Sequence, residues 1–200
     1  MVGVLALQGA FREHKRAFER LGAEVREVRL PSHLAGLSGV VIPGGESTTI
    51  AKLMRAYGFE SALSDFYVQG GAIWGTCAGA IAIATDIVGH PEQPRLNLLK
   101  MSVARNAYGR QVASFEADIP VAPFTEPFHA IFIRAPRILS VGEGVEVLAR
   151  FEDDPIMVSK GRLMATVFHP ELSSDDRVHA HFLEHIVPDS NEALGQGASK

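Results

Sequence analysis

Gly71-Ala72-Ile73-Trp74-Gly75-Thr76-Cys77-Ala78-Gly79-Ala80-Ile81-Ala82-Ile83-Ala84 is the stretch on which the reading of this chain turns. Gly71 to Trp74 is an apolar run, and Ala80 to Ala84 is rich in alanine and isoleucine. A buried strand that turns sharply into a helix is predicted, with glycines on both sides of Cys77. Small residues let the backbone turn tightly, so the side chain at the turn stands clear of the sheet edge. Cys77 is the only cysteine. A lone cysteine is most often a buried packing residue, but this setting is that of a nucleophile elbow. A free thiol has a pKa of ~8.5, and the start of a helix, with its free N–H groups and positive dipole end, is where a thiolate finds help.

Working outward, the first half alternates strand and helix. Val2 to Leu7 is a continuous apolar run ending at Gln8-Gly9, which reads as a central strand buried on both faces. Phe11 to Leu21 has helical periodicity, with Phe11, Phe18 and Leu21 on one side. Ala23 to Leu30 and Gly39 to Ile42 read as strands, Ser47 to Tyr57 and Glu60 to Val68 as helices, and Ala72 to Trp74 as the strand before the elbow. Such alternation implies a mostly parallel sheet with helices on both faces, a three-layer α/β fold. The second half adds strands with few helices between them, over Lys100–Ala104, Ser114–Ile119, Ala130–Arg134, Val145–Phe151 and Ile156–Val167, with a hairpin turn at Lys160-Gly161. Asp175 to Ile186 reads as a closing helix with two acids at its N-terminus. A single domain over residues 1–187 is expected, followed by a loose polar tail over 188–200.

Composition narrows the partners. The chain has 200 residues and a net charge of −4, with no basic run, so nucleic acid is not expected as a partner. The N-terminal apolar run is short and has no basic leader, unlike a signal peptide. The uncharged stretch Gly70 to Thr85 is shorter than the ~20 residues of a membrane helix and is interrupted by glycines. One cysteine permits no intrachain disulfide and suits a reducing compartment. A cytoplasmic protein without membrane association is expected.

Two further segments can serve Cys77. In Phe168-His169-Pro170-Glu171, an extended backbone would turn His169 and Glu171 to the same side. Glu171 would then fix the tautomer of an imidazole whose other nitrogen faces the thiol, the orienter, base and nucleophile order of a triad. Alone, this segment is only a turn at a strand end. In Pro43-Gly44-Gly45-Glu46-Ser47-Thr48-Thr49, the two glycines permit positive φ and expose backbone N–H groups. One of these would join the Ala78 N–H in an oxyanion site, and a Ser or Thr would cap the next helix. The loop lacks the Lys-Ser/Thr ending of a phosphate-binding loop. His181 and His185 stand four apart, a spacing more typical of a solvated helix face than of a metal site. Glu152-Asp153-Asp154 reads as a solvated turn. Arg105 and Arg134, each near a strand end, are candidates for a substrate carboxylate.

In this order and spacing, the PGGES loop, the GTCAGA elbow and the HPE segment resemble the class I (triad) glutamine amidotransferases. The start, Gly3-Val4-Leu5-Ala6-Leu7-Gln8-Gly9-Ala10-Phe11-Arg12-Glu13-His14, resembles their branch of pyridoxal 5′-phosphate synthase glutaminases. So do Gly44-Gly45-Glu46-Ser47-Thr48-Thr49 and Arg105-Asn106-Ala107-Tyr108-Gly109. The resemblance covers Val2 to about Ile186 and implies the flavodoxin-like, three-layer fold of that family, with extra antiparallel strands in the second half. It implies that Cys77 attacks the side-chain amide of L-glutamine, that His169 moves the proton, and that Glu171 orients it. It implies oxyanion donors at Gly45 and Ala78, and glutamine contacts at Gly45, Glu46, Ser47, Arg105, Ile133 and Arg134. It further implies ammonia transfer, without cofactor or metal, to a separate barrel-type synthase subunit that meets Gln8 and its loop. Other readings share parts of the pattern. A glutaminase serving another acceptor, such as imidazole glycerol phosphate synthase, would not carry the Leu7-Gln8-Gly9-Ala10 start. Cysteine peptidases or chaperones with this elbow usually place a histidine where Ala78 stands. A non-catalytic module would not need Cys77, His169 and Glu171 intact.

Overall fold

The computed structural model describes residues 1–105 and 114–188. The Asn106-Ala107-Tyr108-Gly109 segment and the tail beyond Pro188 lie outside the described residues. The elements are β1 (Val2–Leu5), α1 (Phe11–Arg20), β2 (Val25–Val28), β3 (Gly39–Ile42), α2 (Ser47–Ala56), α3 (Phe59–Val68), β4 (Ala72–Thr76) and α4 (Ala78–Ile83). They continue with β5 (Ala84–Val88), β6 (Leu99–Ala104), β7 (Ser114–Ile119), β8 (Phe128–Ile133), β9 (Arg137–Val141), β10 (Glu146–Phe151), β11 (Asp154–Lys160), β12 (Leu163–Thr166) and α5 (Arg177–His181).

A seven-stranded sheet in the order β10-β11-β12-β4-β3-β1-β2 forms the centre. From β12 to β2 all neighbours pair in parallel; β11 runs antiparallel to both β12 and β10. The inner strands β1, β3, β4 and β12 are buried at every residue, as their unbroken apolar runs require. Chain order sets the layers. β1 crosses to β2 in one direction and β3 to β4 in the other, so right-handed crossovers put α1 on one face and α2 on the opposite one. On the α1 face, Trp74 meets Phe18, His179 and Phe182, with ring centroids 6.4, 5.0 and 5.4 Å away. The Trp74 indole N–H donates to Thr166 Oγ1 at 3.2 Å. Smaller sheets, β5-β6-β9 and the β7-β8 hairpin, flank the core. No helix among the described residues is long and apolar enough to cross a membrane.

Several expectations change in detail. On α1 the buried residues are His14, Ala17 and Phe18. Leu21 is exposed and Phe11 only half-buried. A histidine thus occupies the inward stripe that apolar counting gave to its neighbours. The Ala80–Ala84 run does not stay helical; it passes at Ala84 directly into β5, with no glycine or proline between to mark the change. β9 carries one buried residue, Ile138, so it shows no period-two pattern to read. The hairpin falls at Lys160-Gly161, with Gly161 at φ +54°. The closing helix is shorter than predicted. It becomes a π turn over Phe182–Ile186, whose first and last side chains are both buried. Its leading acids are held by arginines: Asp176 by Arg20 at 2.6 and 2.8 Å, and Asp175 by Arg177.

Candidate active site

Because β1, β3, β4 and β12 are adjacent and parallel, the loops leaving their C-terminal ends meet at one sheet edge, where open α/β sheets place their sites. Those loops carry Gln8, Gly44-Gly45, Cys77 and His169. Cys77 has φ +50° and ψ −103°, a strained conformation for a residue with a Cβ. It is held there by its N–H donating to Thr166 O at 2.8 Å and its carbonyl accepting from Ile81 N at 3.3 Å. The flanking glycines answer to contact. A Cβ on Gly75 would lie 2.4 Å from Gly79 O, and one on Gly79 would lie 1.9 Å from Ile42 O. Ala78 opens α4, so its N–H has no acceptor within the helix. The Cys77 thiol lies against the Ile133 carbonyl, with Sγ 3.9 Å from the oxygen.

His169 Nδ1 lies 2.7 Å from Glu171 Oε1, and both side chains are buried. The pairing is as expected, but the route differs. His169 has φ −108° and ψ 82°, and Pro170–Leu172 form a 3₁₀ turn, not an extended segment. The turn swings Glu171 beneath the ring, and the His169 N–H anchors it to Ile131 O at 2.8 Å. Burial pushes the imidazole pKa down. Hydrogen bonds to Cys77 and Glu171, and their charges, outweigh that and hold it up at about 10.

The loop after β3 is pinned on three sides. Gly44 N–H donates to Thr76 Oγ1 at 3.0 Å, Gly44 O accepts from Ala10 N at 3.1 Å, and Glu46 N–H donates to Gln8 Oε1 at 2.9 Å. Positive φ is not what Gly44 and Gly45 supply; neither adopts it. They are required by proximity. A Cβ on Gly44 would sit 2.5 Å from His169 Cε1 and 3.2 Å from Cys77 Cβ, and one on Gly45 would sit 2.2 Å from Gln8 Oε1. The cap of α2 is also not the expected Ser or Thr. Glu46 caps it, accepting from Thr48 N at 3.0 Å, Thr49 N at 2.7 Å and Thr49 Oγ1 at 2.6 Å. These bonds, that from the Thr49 hydroxyl first, draw its carboxyl pKa down to about 2.

One cleft is bordered by Gln8, Gly45, Glu46, Ser47, Cys77, Ala78, Arg105, Ile133, Arg134 and His169. Every predicted site residue except Glu171 faces it, and Glu171 lies behind His169, where an orienting group belongs. Arg105 Nη1 donates to Gln93 Oε1 at 2.8 Å. Nothing in the chain singles out Gln93, since Pro91-Glu92-Gln93-Pro94 reads only as a loop. Sequence reasoning misses Thr76 and His14 too. Thr76 reads as part of the turn, and a single polar residue in the α1 stripe signals nothing until the fold brings it to Glu171. His181 is buried and His185 exposed, so the pair does not form one solvated face.

A cysteine on an elbow, a histidine paired with a buried carboxylate and a glycine loop thus meet at one cleft. Residues 4–188 match the model of the SNO glutamine amidotransferase family, and the chain belongs to that family. It is 56% identical, over 185 residues, to a pyridoxal 5′-phosphate synthase subunit, PdxT, of Thermus thermophilus. That match covers 92% of this chain and 96% of that protein. It is 54% identical to the PdxT subunit of Deinococcus radiodurans, over 91% of this chain and 95% of that one. A crystal structure described as a glutamine amidotransferase superposes with a TM-score of 0.88 at 56% identity, covering 92% of this chain and 97% of that one. A putative GMP synthase component from Thermoplasma acidophilum shares the fold, with a TM-score of 0.65 at 17% identity over 91% of each chain.

Proposed function

We propose that this chain is the glutamine-hydrolysing subunit of a pyridoxal 5′-phosphate synthase, working through Cys77, His169 and Glu171. The observation that carries the chemistry is the His169 ring, held by Glu171 at 2.7 Å in the cleft that Cys77 borders. Similarity to PdxT subunits over nearly the whole chain supports the choice of acceptor.

The Cys77 sulfur attacks the side-chain amide carbon of glutamine as its proton passes to His169. The tetrahedral oxyanion is held by the Gly45 and Ala78 N–H groups. His169 protonates the amide nitrogen, which leaves as ammonia, and a γ-glutamyl thioester remains. Water then attacks the thioester, its proton passing to His169 and on to the cysteine sulfur, and glutamate leaves. Glu171 fixes the ring orientation throughout. Arg105 and Arg134 hold the glutamine carboxylate. Glu46, its carboxylate held by its cap and its N–H by Gln8, borders the substrate beside Ser47 and Ile133. Ammonia passes to a separate (β/α)₈ barrel synthase, which docks on the face bearing Gln8 and combines it with a pentose phosphate and a triose phosphate.

The test mixes the chain with the barrel synthase and follows glutamate release and glutamine-dependent pyridoxal 5′-phosphate formation. Both are expected, and Cys77→Ala abolishes both. Glutamate release by the Cys77→Ala complex would overturn the mechanism. Glutamine hydrolysis without pyridoxal 5′-phosphate would overturn the acceptor.

A further inference from the structure

Behind the triad lies a buried polar chain that the mechanism above does not use. His14 on α1, Thr76 at the end of β4 and His179 on α5 are all fully buried. His14 Nδ1 lies 2.9 Å from His179 Nε2, and His14 Nε2 lies 3.1 Å from Thr76 Oγ1 and 3.4 Å from Glu171 Oε2. Thr76 Oγ1 is the acceptor that holds the Gly44 N–H. His14 therefore touches the back of the triad and, through one hydroxyl, the glycine loop.

The proton positions follow from the partners. Glu171 Oε2 is buried and has no hydrogen-bond partner among the described residues; His14 Nε2, whose hydrogen bond goes to Thr76 Oγ1, stands 3.4 Å from it. A carboxylate oxygen only accepts. A lone pair on His14 Nε2 would oppose it across 3.4 Å. Placing the hydrogen on Nε2 removes that opposition and leaves Nδ1 to accept from His179 Nε2–H. The atom left over is then His179 Nδ1, a buried acceptor without a partner among the described residues. The reverse tautomers would leave a buried N–H donor there, and buried orphan N–H groups are rarer than under-satisfied acceptors. His14 is neutral in this arrangement. Burial first, then the neighbouring His179 and His169, press its pKa well below the usual histidine range.

We propose that His14 is a positioning residue of the glutaminase reaction: its Nε2–H, bonded to Thr76 Oγ1, presents its positive end to Glu171 Oε2 at 3.4 Å and so steadies the carboxylate that orients His169. The same side chain, through Thr76, keeps the Gly44-Gly45 loop in register with the triad. This inference rests on the triad reading above.

The test compares His14→Asn, His14→Gln, Glu171→Gln and the double variants in the complex with the synthase, by glutamate release. An asparagine amide reaches about where Nδ1 stands, so it keeps the His179 contact and loses the N–H that bonds Thr76 and faces Glu171; a glutamine amide reaches about where Nε2 stands. The expected result for His14→Asn is a kcat about tenfold to a hundredfold lower, with KM for glutamine within about threefold of wild type. His14→Gln should retain most of kcat. In the Glu171→Gln background, His14→Asn should cost less than about threefold more, because the group it acts through is already altered. An unchanged kcat in His14→Asn, a full additive loss in the double variant, or equal losses for asparagine and glutamine would each overturn the proposal. If His14→Asn does not fold, His14→Gln decides alone: near-wild-type kcat supports the proposal, and a loss as deep as that of Glu171→Gln refutes it. An unchanged kcat in Glu171→Gln would instead bring down the triad reading itself.

Discussion

Gly9→Ala should damage catalysis from outside the cleft. Gly9 has φ +95°, and a Cβ there would stand 1.9 Å from the Gly44 carbonyl oxygen. Ordinary contact begins near 3.4 Å, so the carbonyl must retreat by about 1.5 Å. Both atoms in the clash are tied to backbone, and no flexible side chain can absorb it. Retreat also breaks the 3.1 Å bond from Ala10 N–H. A left-handed alanine costs about 1–2 kcal/mol, and the lost hydrogen bond about 1 kcal/mol. Together these amount to about 2–3 kcal/mol, which in a domain of this size lowers the melting temperature by about 4–12 °C. The rate should fall further than stability suggests. Gly44 packs against both His169 and Cys77, and a displacement of ~1 Å at an active site costs about a hundredfold. Gly22→Ala is the control, because Gly22 has φ +75° with nothing within 4 Å of the added carbon. It should cost about 1–2 kcal/mol of stability and leave turnover alone. The assay is glutamate release by each variant saturated with synthase, with complex formation checked separately and melting followed by circular dichroism. If docked Gly9→Ala turns over within about threefold of Gly22→Ala, the Gly9–Gly44 contact does not position the loop.

Two other outcomes are expected. Stability should fall as pH drops below the ordinary histidine range. Burial holds His179 at about 3 and His14 well below 6.5, so the unfolded chain takes up protons that the fold refuses. Their stabilisation is complete above about pH 6.5 and is lost as pH falls toward 3, at up to about 1.4 kcal/mol per pH unit for each. His169 runs the other way: its contribution is full below about pH 6.5 and is lost as pH rises through about 10. Urea unfolding at about pH 7 and about pH 5 checks the acid limb, and equal free energies there would refute it. Glu46→Ala should remove the α2 cap and cost about 0.5–2 kcal/mol at neutral pH. Glu46→Gln should recover part of this, since an amide oxygen still accepts. If thermal melts show Ala and Gln equally destabilised, the carboxylate's bonds to Thr48 and Thr49 are not what caps the helix.

What could be read from residues alone was local. Val2–Leu5, Gly39–Ile42 and Ala72–Thr76 announced themselves as buried strands because parallel strands covered on both faces are apolar throughout. The elbow was legible because its glycines and alanines sit next to the nucleophile in the chain. β9 escaped because one inward residue makes no pattern. The Glu46 cap escaped because glutamate is an unusual capping residue and the loop also offered Ser47, Thr48 and Thr49.

The sequence by itself determined the class of fold, the candidate nucleophile and the shape of the turn that bears it, since all three depend on residues within a turn or two of each other. His169 and Glu171 were recognisable as candidates, but only the order of four parallel strands sets them against Cys77. The same order explains the paired glycines, which serve close approach to His169 and Gln8 and not a left-handed backbone. His14 shows the division most clearly. In the chain it is one polar residue in a helical stripe; in the fold it reaches His179, 165 residues away, and Glu171. Such contacts join segments that no local periodicity links, and they exist only once packing has removed every other partner.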